Sequence, residues 1–350
     1  MIARMDAGSA ESLLTFAEHA GPGLRGLDGR TVVAQFEERY GDLVAAVEWF
    51  VDAGRTDDVL RLASALDVFW MATKRLDEGG AWFDRVLAMP GGEDVNRGRA
   101  LFQAGLLVFW TGDDGRSFAL HERALEIGRR IGDPTITAQA LTGLARIALR
   151  TDVAEARRLC REAMAVTEGT DDRQGRSNAT HVLGVTAQMA GDFLEARELM
   201  SERISLARDV GNYAAIGMES GNLSMVERQL GNLERADELA REALGIYDRR
   251  GDHWATPYGI SGIAAVATER GAFERAATLI GAAESMMERE GAAWPPDERP
   301  HYERTVATLA EAMGPADFER TRAAGRSMTS REAVDFALGA PGESSLTASD

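Results

Sequence analysis

The sequence predicts an all-α chain, an α-solenoid of antiparallel helix pairs repeating about every 40 residues. Three observations carry this expectation. A short motif recurs at constant spacing, small residues recur in two columns at the same spacing, and no segment sustains the period-two alternation of a half-buried strand. The motif is Gly191-Asp192-Phe193-Leu194-Glu195-Ala196, then Gly231-Asn232-Leu233-Glu234-Arg235-Ala236, then Gly271-Ala272-Phe273-Glu274-Arg275-Ala276. It extends upstream, with one deletion, to Thr151-Asp152-Val153-Ala154-Glu155-Ala156, and a further copy begins at Gly112-Asp113.

Two columns explain why the units pair. Gly105, Ala145, Gly184, Ser224 and Ala264 form the first. Ser117, Ala156, Ala196, Ala236 and Ala276 form the second, each followed three residues later by Leu120, Leu159, Leu199, Leu239 or Leu279. Facing small residues let two backbones approach, and leucine fills the seam. The Gly-Asp or Gly-Asn between the columns is a turn and a helix N-cap. Leu239, Ala243, Leu244 and Tyr247 trace a helical stripe. Second helices close at Gly132-Asp133, Gly211-Asn212 and Gly251-Asp252, with glycine as the C-terminal cap. Helices of about 17 residues would be roughly 25 Å long. Val68-Phe69-Trp70 and Val108-Phe109-Trp110 place one more unit upstream. One pair cannot bury its own apolar face, so the units must stack.

The expected organisation is N-terminal capping helices over 1–54, repeats over 55–292, C-terminal capping helices over 293–338 and a disordered tail over 339–350. Gly21-Pro22-Gly23-Leu24-Arg25-Gly26 breaks the first segment, and Asp42 to Val51 is amphipathic. Trp294-Pro295-Pro296 is a sharp stop, and Thr329-Ser330-Arg331-Glu332 is a capping box. The tail is Gly, Ser, Pro and acid.

The chain has 350 residues, 45% hydrophobic and 27% charged, enough apolar surface for a core. Its net charge of −17 repels phosphate, which argues against nucleic acid and anionic membrane as partners. The single cysteine, Cys160, excludes an internal disulfide. With no signal-like start and no apolar run of membrane length, the expected location is cytoplasmic.

Catalytic signals are weak. Gly21-x-Gly23-x-x-Gly26 matches the dinucleotide fingerprint but contains a proline and follows a helical segment, so it reads as a loop. Lys74 is the only lysine and its surroundings are not glycine-rich, which argues against a phosphate-binding loop. His19, His121, His181, His253 and His301 show no metal-ligand spacing, and Cys160 beside Leu159 reads as packing. Asp57-Asp58, Asp113-Asp114 and Asp171-Asp172 read as helix caps. No catalytic, cofactor-binding or metal-ligating residue is expected.

The 40-residue units resemble tetratricopeptide repeats with lengthened helices. Several short motifs extend the resemblance: Pro22-Gly23-Leu24-Arg25-Gly26, Asp42-Leu43-Val44-Ala45-Ala46-Val47-Glu48-Trp49, Gly281-Ala282-Ala283-Glu284, Pro295-Pro296, Tyr302-Glu303-Arg304 and Gly325-Arg326-Ser327-Met328-Thr329. Their order is similar to the C-terminal helical repeat region of bacterial LuxR-type and STAND NTPase regulators. The resemblance implies a right-handed superhelix serving as a sensor or partner-binding arm. In such regulators an NTPase lies upstream and a DNA-binding domain or another effector is attached. Thr329-Ser330-Arg331-Glu332 is similar to the opening of a LuxR-type DNA-binding domain, but too little chain follows it for that domain. ATP hydrolysis and DNA binding are therefore not expected of this chain.

The first helix of each pair should line the concave side. Counting from the first small column, the groove candidates are Arg99, Phe102, Gln139, Arg146, Asn178, His181, Gln188, Met218, Arg228 and Tyr258. Arg146, His181 and Arg228 would suit an acidic peptide or a carboxylate. The expected function is a non-enzymatic sensor or scaffold that binds a protein, a peptide or a small-molecule effector, with self-association left open. The alternative is a truncated or split part of an ATP-dependent LuxR-type regulator. An enzyme using the groove as its active site ranks last.

Overall fold

A computed structural model describes residues 5–290, 294 and 298–339. Pro295, Pro296 and the tail from residue 340 onward lie outside them. The chain forms two compact units, Met1–Asn212 and Tyr213–Asp350. Every regular element among the described residues is helical.

Unit 1 opens with α1 (Ala7–Ala20), a 3-10 turn over Gly21–Arg25, and α2 (Gly29–Asp52). Helices α3 (Thr56–Ala65), α4 (Asp67–Ala72) and α5 (Leu76–Leu87) follow. Three helix pairs come next: α6 (Asp94–Thr111) with α7 (Asp114–Ile131), α8 (Pro134–Ala148) with α9 (Val153–Thr167), and α10 (Arg173–Ala190) with α11 (Phe193–Asp209). Unit 2 holds α12 (Tyr213–Gln229) with α13 (Leu233–Arg250), and α14 (Thr256–Glu269) with α15 (Phe273–Arg289). It is closed by α16 (Arg299–Met313), α17 (Pro315–Arg326) and α18 (Ser330–Leu338).

The turn chemistry works locally. Gly112, Gly132, Gly191, Gly211, Gly231, Gly251 and Gly271 all adopt positive φ, where a side chain would be strained. Asp113, Asp133, Asp152 and Asp172 cap the helices that follow, each accepting a backbone N–H three residues on. Thr329 and Glu332 form the expected capping box on α18.

Both small columns are buried along their length. In two pairs the close approach is clasped by a hydroxyl. Ser117 Oγ of α7 donates to the Gly105 carbonyl of α6 at 2.8 Å. Ser224 Oγ of α12 donates to the Ala236 carbonyl of α13 at 2.7 Å. The bond is the same and the serine sits on the opposite helix. Leu239 and Leu279 are fully buried in unit 2, each contributing about 1.5–3 kcal/mol. Leu199 is only half-buried, and Met200 fills that seam instead, its Cγ facing Gly184.

The upstream unit departs from the pattern. Its first helix is broken at Leu66 into α3 and α4, and Asp67 Oδ1 accepts the Val68 N–H at the break. Phe36, Phe69, Trp70 and Phe83 are fully buried there. Trp70 Nε1 donates to the Tyr40 hydroxyl at 3.1 Å. Trp110, 40 residues after Trp70, is half exposed.

Unit 2 closes through a helix crossing with no room for side chains. A Cβ on Gly281 of α15 would lie 1.9 Å from the Arg322 carbonyl oxygen of α17. One on Gly325 would lie 1.8 Å from the Thr278 carbonyl oxygen. Beside the crossing, buried Glu284 accepts from Arg322 Nε at 2.7 Å, from Arg326 Nη1 at 3.3 Å and from the Tyr302 hydroxyl. The motif residues around 281–284, 302 and 325–326 therefore meet at one staple.

Candidate functional site

Within unit 1, α6 packs on α8 and α8 on α10, while α7 and α9 pack on the first helices beside them. Elements on the tighter side of a stack are the ones that touch, so α6, α8 and α10 form the inner face of this unit. In unit 2, α12 packs on α14 in the same way.

The candidate residues separate by column. Arg99, Gln139, Asn178, Met218 and Tyr258 stand at equivalent positions on α6, α8, α10, α12 and α14. Arg99 and Met218 are exposed and the other three half-buried. In unit 1 this makes a polar stripe of Arg99, Gln139 and Asn178, in which Asn178 Oδ1 accepts from Gln174 Nε2 at 3.0 Å. In unit 2 Tyr258 lies between the rings of Trp254 and Trp294, 5.1 and 5.5 Å away.

Three residues further along, the helices turn inward. Phe102 is buried with its ring 5.6 Å from His121 of α7. His181 is buried and its Nδ1 accepts from Arg203 Nη1 of α11 at 2.9 Å. Both belong to the interiors of their helix pairs. Gln188 and Arg146 are half-buried. The positive charge of Arg146 is felt at His121 and Cys160. Arg228 Nε donates to Glu269 Oε1 at 2.9 Å, so its charge is compensated. Arg99, near the start of α6, is exposed and has no ion-pair partner among the described residues.

His121 and Cys160 are buried and neutral. His121 sits between Gly105 of α6 and Gly143 of α8, where a Cβ would come within 2.6 and 2.4 Å of its ring. Burial, and secondarily the Arg146 charge, pushes its imidazole down to about 3. Burial pushes the Cys160 thiol up to about 12. No group of three or more metal-ligating side chains occurs among the described residues.

One feature escaped the sequence reading. A cleft of about 320 Å³ opens between α1, the 3-10 turn, α3, the start of α4 and α6. Asn96, Arg99 and Gln103 of α6 form one wall, and Arg25, Ser64 and Asp67 face it. The i, i+3, i+7 spacing of polar residues on α6 was the available signal. The opposite wall is assembled from segments far apart in the chain, which no local pattern reveals. The Gly21-to-Gly26 segment, read as a loop, is part of that wall as a 3-10 turn.

Comparisons with known proteins agree with this architecture. Residues 221–249 match the tetratricopeptide repeat model. Over 129 residues the chain is 32% identical to HTH-type transcriptional regulators of Mycobacterium tuberculosis and Mycobacterium bovis. That match covers 33% of this chain and only 14% of the relatives' length. Among solved structures, a Rap protein complexed with Competence and Sporulation Factor is similar, with a TM-score of 0.58 and 11% identity. The match covers 85% of this chain and 82% of that one. The Rap conjugation gene regulator of plasmid pLS20, in complex with the Phr* peptide, gives a TM-score of 0.51 and 14% identity over 73% of this chain and 76% of that one. The chain has the fold of these tetratricopeptide-like helical proteins. No helix among the described residues is long and apolar enough to cross a membrane.

Proposed function

We propose that this chain is a peptide- or protein-binding module of a bacterial regulatory system, acting by binding and not by catalysis. The observation that carries the reading is the polar stripe of Arg99, Gln139 and Asn178 on an otherwise tightly packed inner face. A packed helix face would carry Leu or Val at such positions, whereas these side chains offer hydrogen bonds to an extended partner. The Rap conjugation gene regulator of similar fold was solved in complex with the Phr* peptide, which supports a peptide as the occupant ahead of a small-molecule effector. Buried, neutral His121 and Cys160 support the non-enzymatic reading.

A second reading has its own support. The 32% identity to segments of HTH-type regulators favours this chain as the repeat arm of a LuxR-type transcription regulator whose ATPase and DNA-binding functions reside elsewhere. The two readings are compatible, since such an arm would also work by binding. The test is enrichment from a random peptide pool on the immobilised chain, repeated with Arg99, Gln139 and Asn178 all changed to Ala. Selective enrichment by the parent and its loss in the variant are expected. Equal recovery by both would discard the stripe.

A further inference from the structure

The cleft at the start of α6 has a chemistry of its own. Arg61 at its edge is neutralised by Glu18, which accepts from its Nε and Nη2 at 2.8 and 2.7 Å. Arg25 lies 3.6 Å from Asp67, a buried carboxylate that also accepts the Val68 N–H. These pairs leave Arg99, exposed and without an ion-pair partner among the described residues, as the uncompensated charge of the cleft.

The second observation concerns hydrogen bonds. Gln103 Nε2 donates to the Ser64 carbonyl at 3.1 Å, which fixes the amide plane. The other end of the amide, Oε1, is buried and accepts from no group of the protein. Ser64 Oγ is likewise buried without a protein partner. An acceptor held in place and left unpaired is costly, and the cost is recovered when a ligand supplies an N–H. The cleft therefore offers one spare guanidinium and one fixed acceptor on the same helix, a turn apart.

We infer that this cleft binds a single carboxylate flanked by an amide N–H. Arg99 receives the carboxylate and Gln103 Oε1 accepts the N–H. A dianion such as a phosphate monoester is disfavoured, because one spare arginine would face it together with the carboxylates of Glu18 and Asp67. The chemistry has two sources, the C-terminal residue of a peptide and a free N-acylated amino acid. At about 320 Å³ the cleft is in the size range of small-ligand sites. For a peptide, the inference deepens the proposed function and rests on it. The chemistry of the site stands without it.

The experiment is calorimetric titration of the full chain with acetyl-Ala-Ala as the free acid and as its C-terminal amide. Saturable binding of the acid is expected, with the amide weaker by roughly tenfold, the usual weight of one charge-assisted contact. Arg99→Ala should remove the difference between acid and amide. Gln103→Met, of similar shape, should weaken the acid while leaving its preference over the amide. Arg99 is exposed, so its loss leaves the fold intact, and a thermal melt checks this. Equal binding of acid and amide, absence of binding by either, or an unchanged preference in Arg99→Ala would overturn the assignment. Acetyl-alanine and acetyl-tetra-alanine separate the sources: affinity that rises with length identifies a peptide end, and affinity that does not identifies an acylated amino acid. If the random pool binds the stripe but the acid shows no preference, only this inference falls. If acetyl-alanine binds through Arg99 and the pool does not bind, only the peptide reading falls.

Discussion

The two units place different chemistry on the same helical positions. In unit 1 the inner-face stripe of the first helices is Arg99, Gln139 and Asn178, and in unit 2 it is Met218 and Tyr258, with Tyr258 packed beside Trp254. Beneath the stripe the units agree. Gly105, Ala145 and Gly184 in one, and Ser224 and Ala264 in the other, are small and buried. Even the inter-helix hydroxyl bond is kept, with its serine moved from α7 in unit 1 to α12 in unit 2. Backbone distance fixes the packing columns, because any added atom meets another helix. The stripe is held only by its position, so its chemistry is free to follow a partner. Substitutions should therefore fall into two classes, severe in the columns and crossings and mild in the stripe.

The largest effects belong to the tightest crossing. Gly281→Ala or Gly325→Ala sets a Cβ less than 2 Å from a backbone carbonyl oxygen, which no rotamer change can relieve. Each should cost about 3 kcal/mol or more and disrupt unit 2, as read by chemical denaturation. Gly105→Ala in unit 1 meets a side chain instead, the His121 ring at 2.6 Å. It should cost less, about 2 kcal/mol, and a second change of His121→Ala should recover part of the loss. A full recovery of Gly281→Ala by any side-chain truncation would contradict the distinction.

His121 gives unit 1 a pH dependence. Its folded pKa, about 3, lies below the 6.5 of an unfolded histidine. The unfolded chain therefore gains a proton first as pH falls. The stability associated with neutral His121 is complete above pH 6.5 and is lost as pH falls from there toward 3. The slope should approach roughly 1.4 kcal/mol per pH unit. The measurement is the denaturation midpoint against pH for the parent and His121→Gln, and parallel curves over that window would refute the assignment.

The repeat columns, the turn glycines and the capping aspartates were legible in the sequence because each acts within one helix pair. The positions of Arg99, Gln139 and Asn178 followed from the repeat register, one residue from the first helix of each of three pairs. His181 and Phe102 were harder, since three residues along a helix is a 60° turn, enough to carry a side chain from the inner face into the pair's interior. The Glu284 staple appeared only as an ordered set of weak motifs, and its cause, a carboxylate shared by α15, α16 and α17, needs three helices in place. The cleft was illegible because its lining is drawn from separate segments spread over residues 17–103. Glu284→Ala should cost about 2 kcal/mol, less than Gly281→Ala, because Arg322 and Arg326 regain water when their partner goes. Thermal melts of the two variants side by side give the ranking.

The smallest effect should come from exchanging the stripes themselves. Gln139→Met gives α8 the residue that α12 carries at that position, and Met218→Gln does the reverse. Neither side chain is buried and neither position contacts a glycine crossing, so each exchange should change stability by no more than about 0.5 kcal/mol. Binding should respond differently. A partner that reads hydrogen bonds along unit 1 loses one contact in Gln139→Met and none in Met218→Gln. Denaturation midpoints together with peptide-pool enrichment for the two variants decide the matter. If Gln139→Met destabilises the protein as strongly as Gly105→Ala, the stripe is part of the packing, and the division between a fixed scaffold and a variable surface fails at its simplest point.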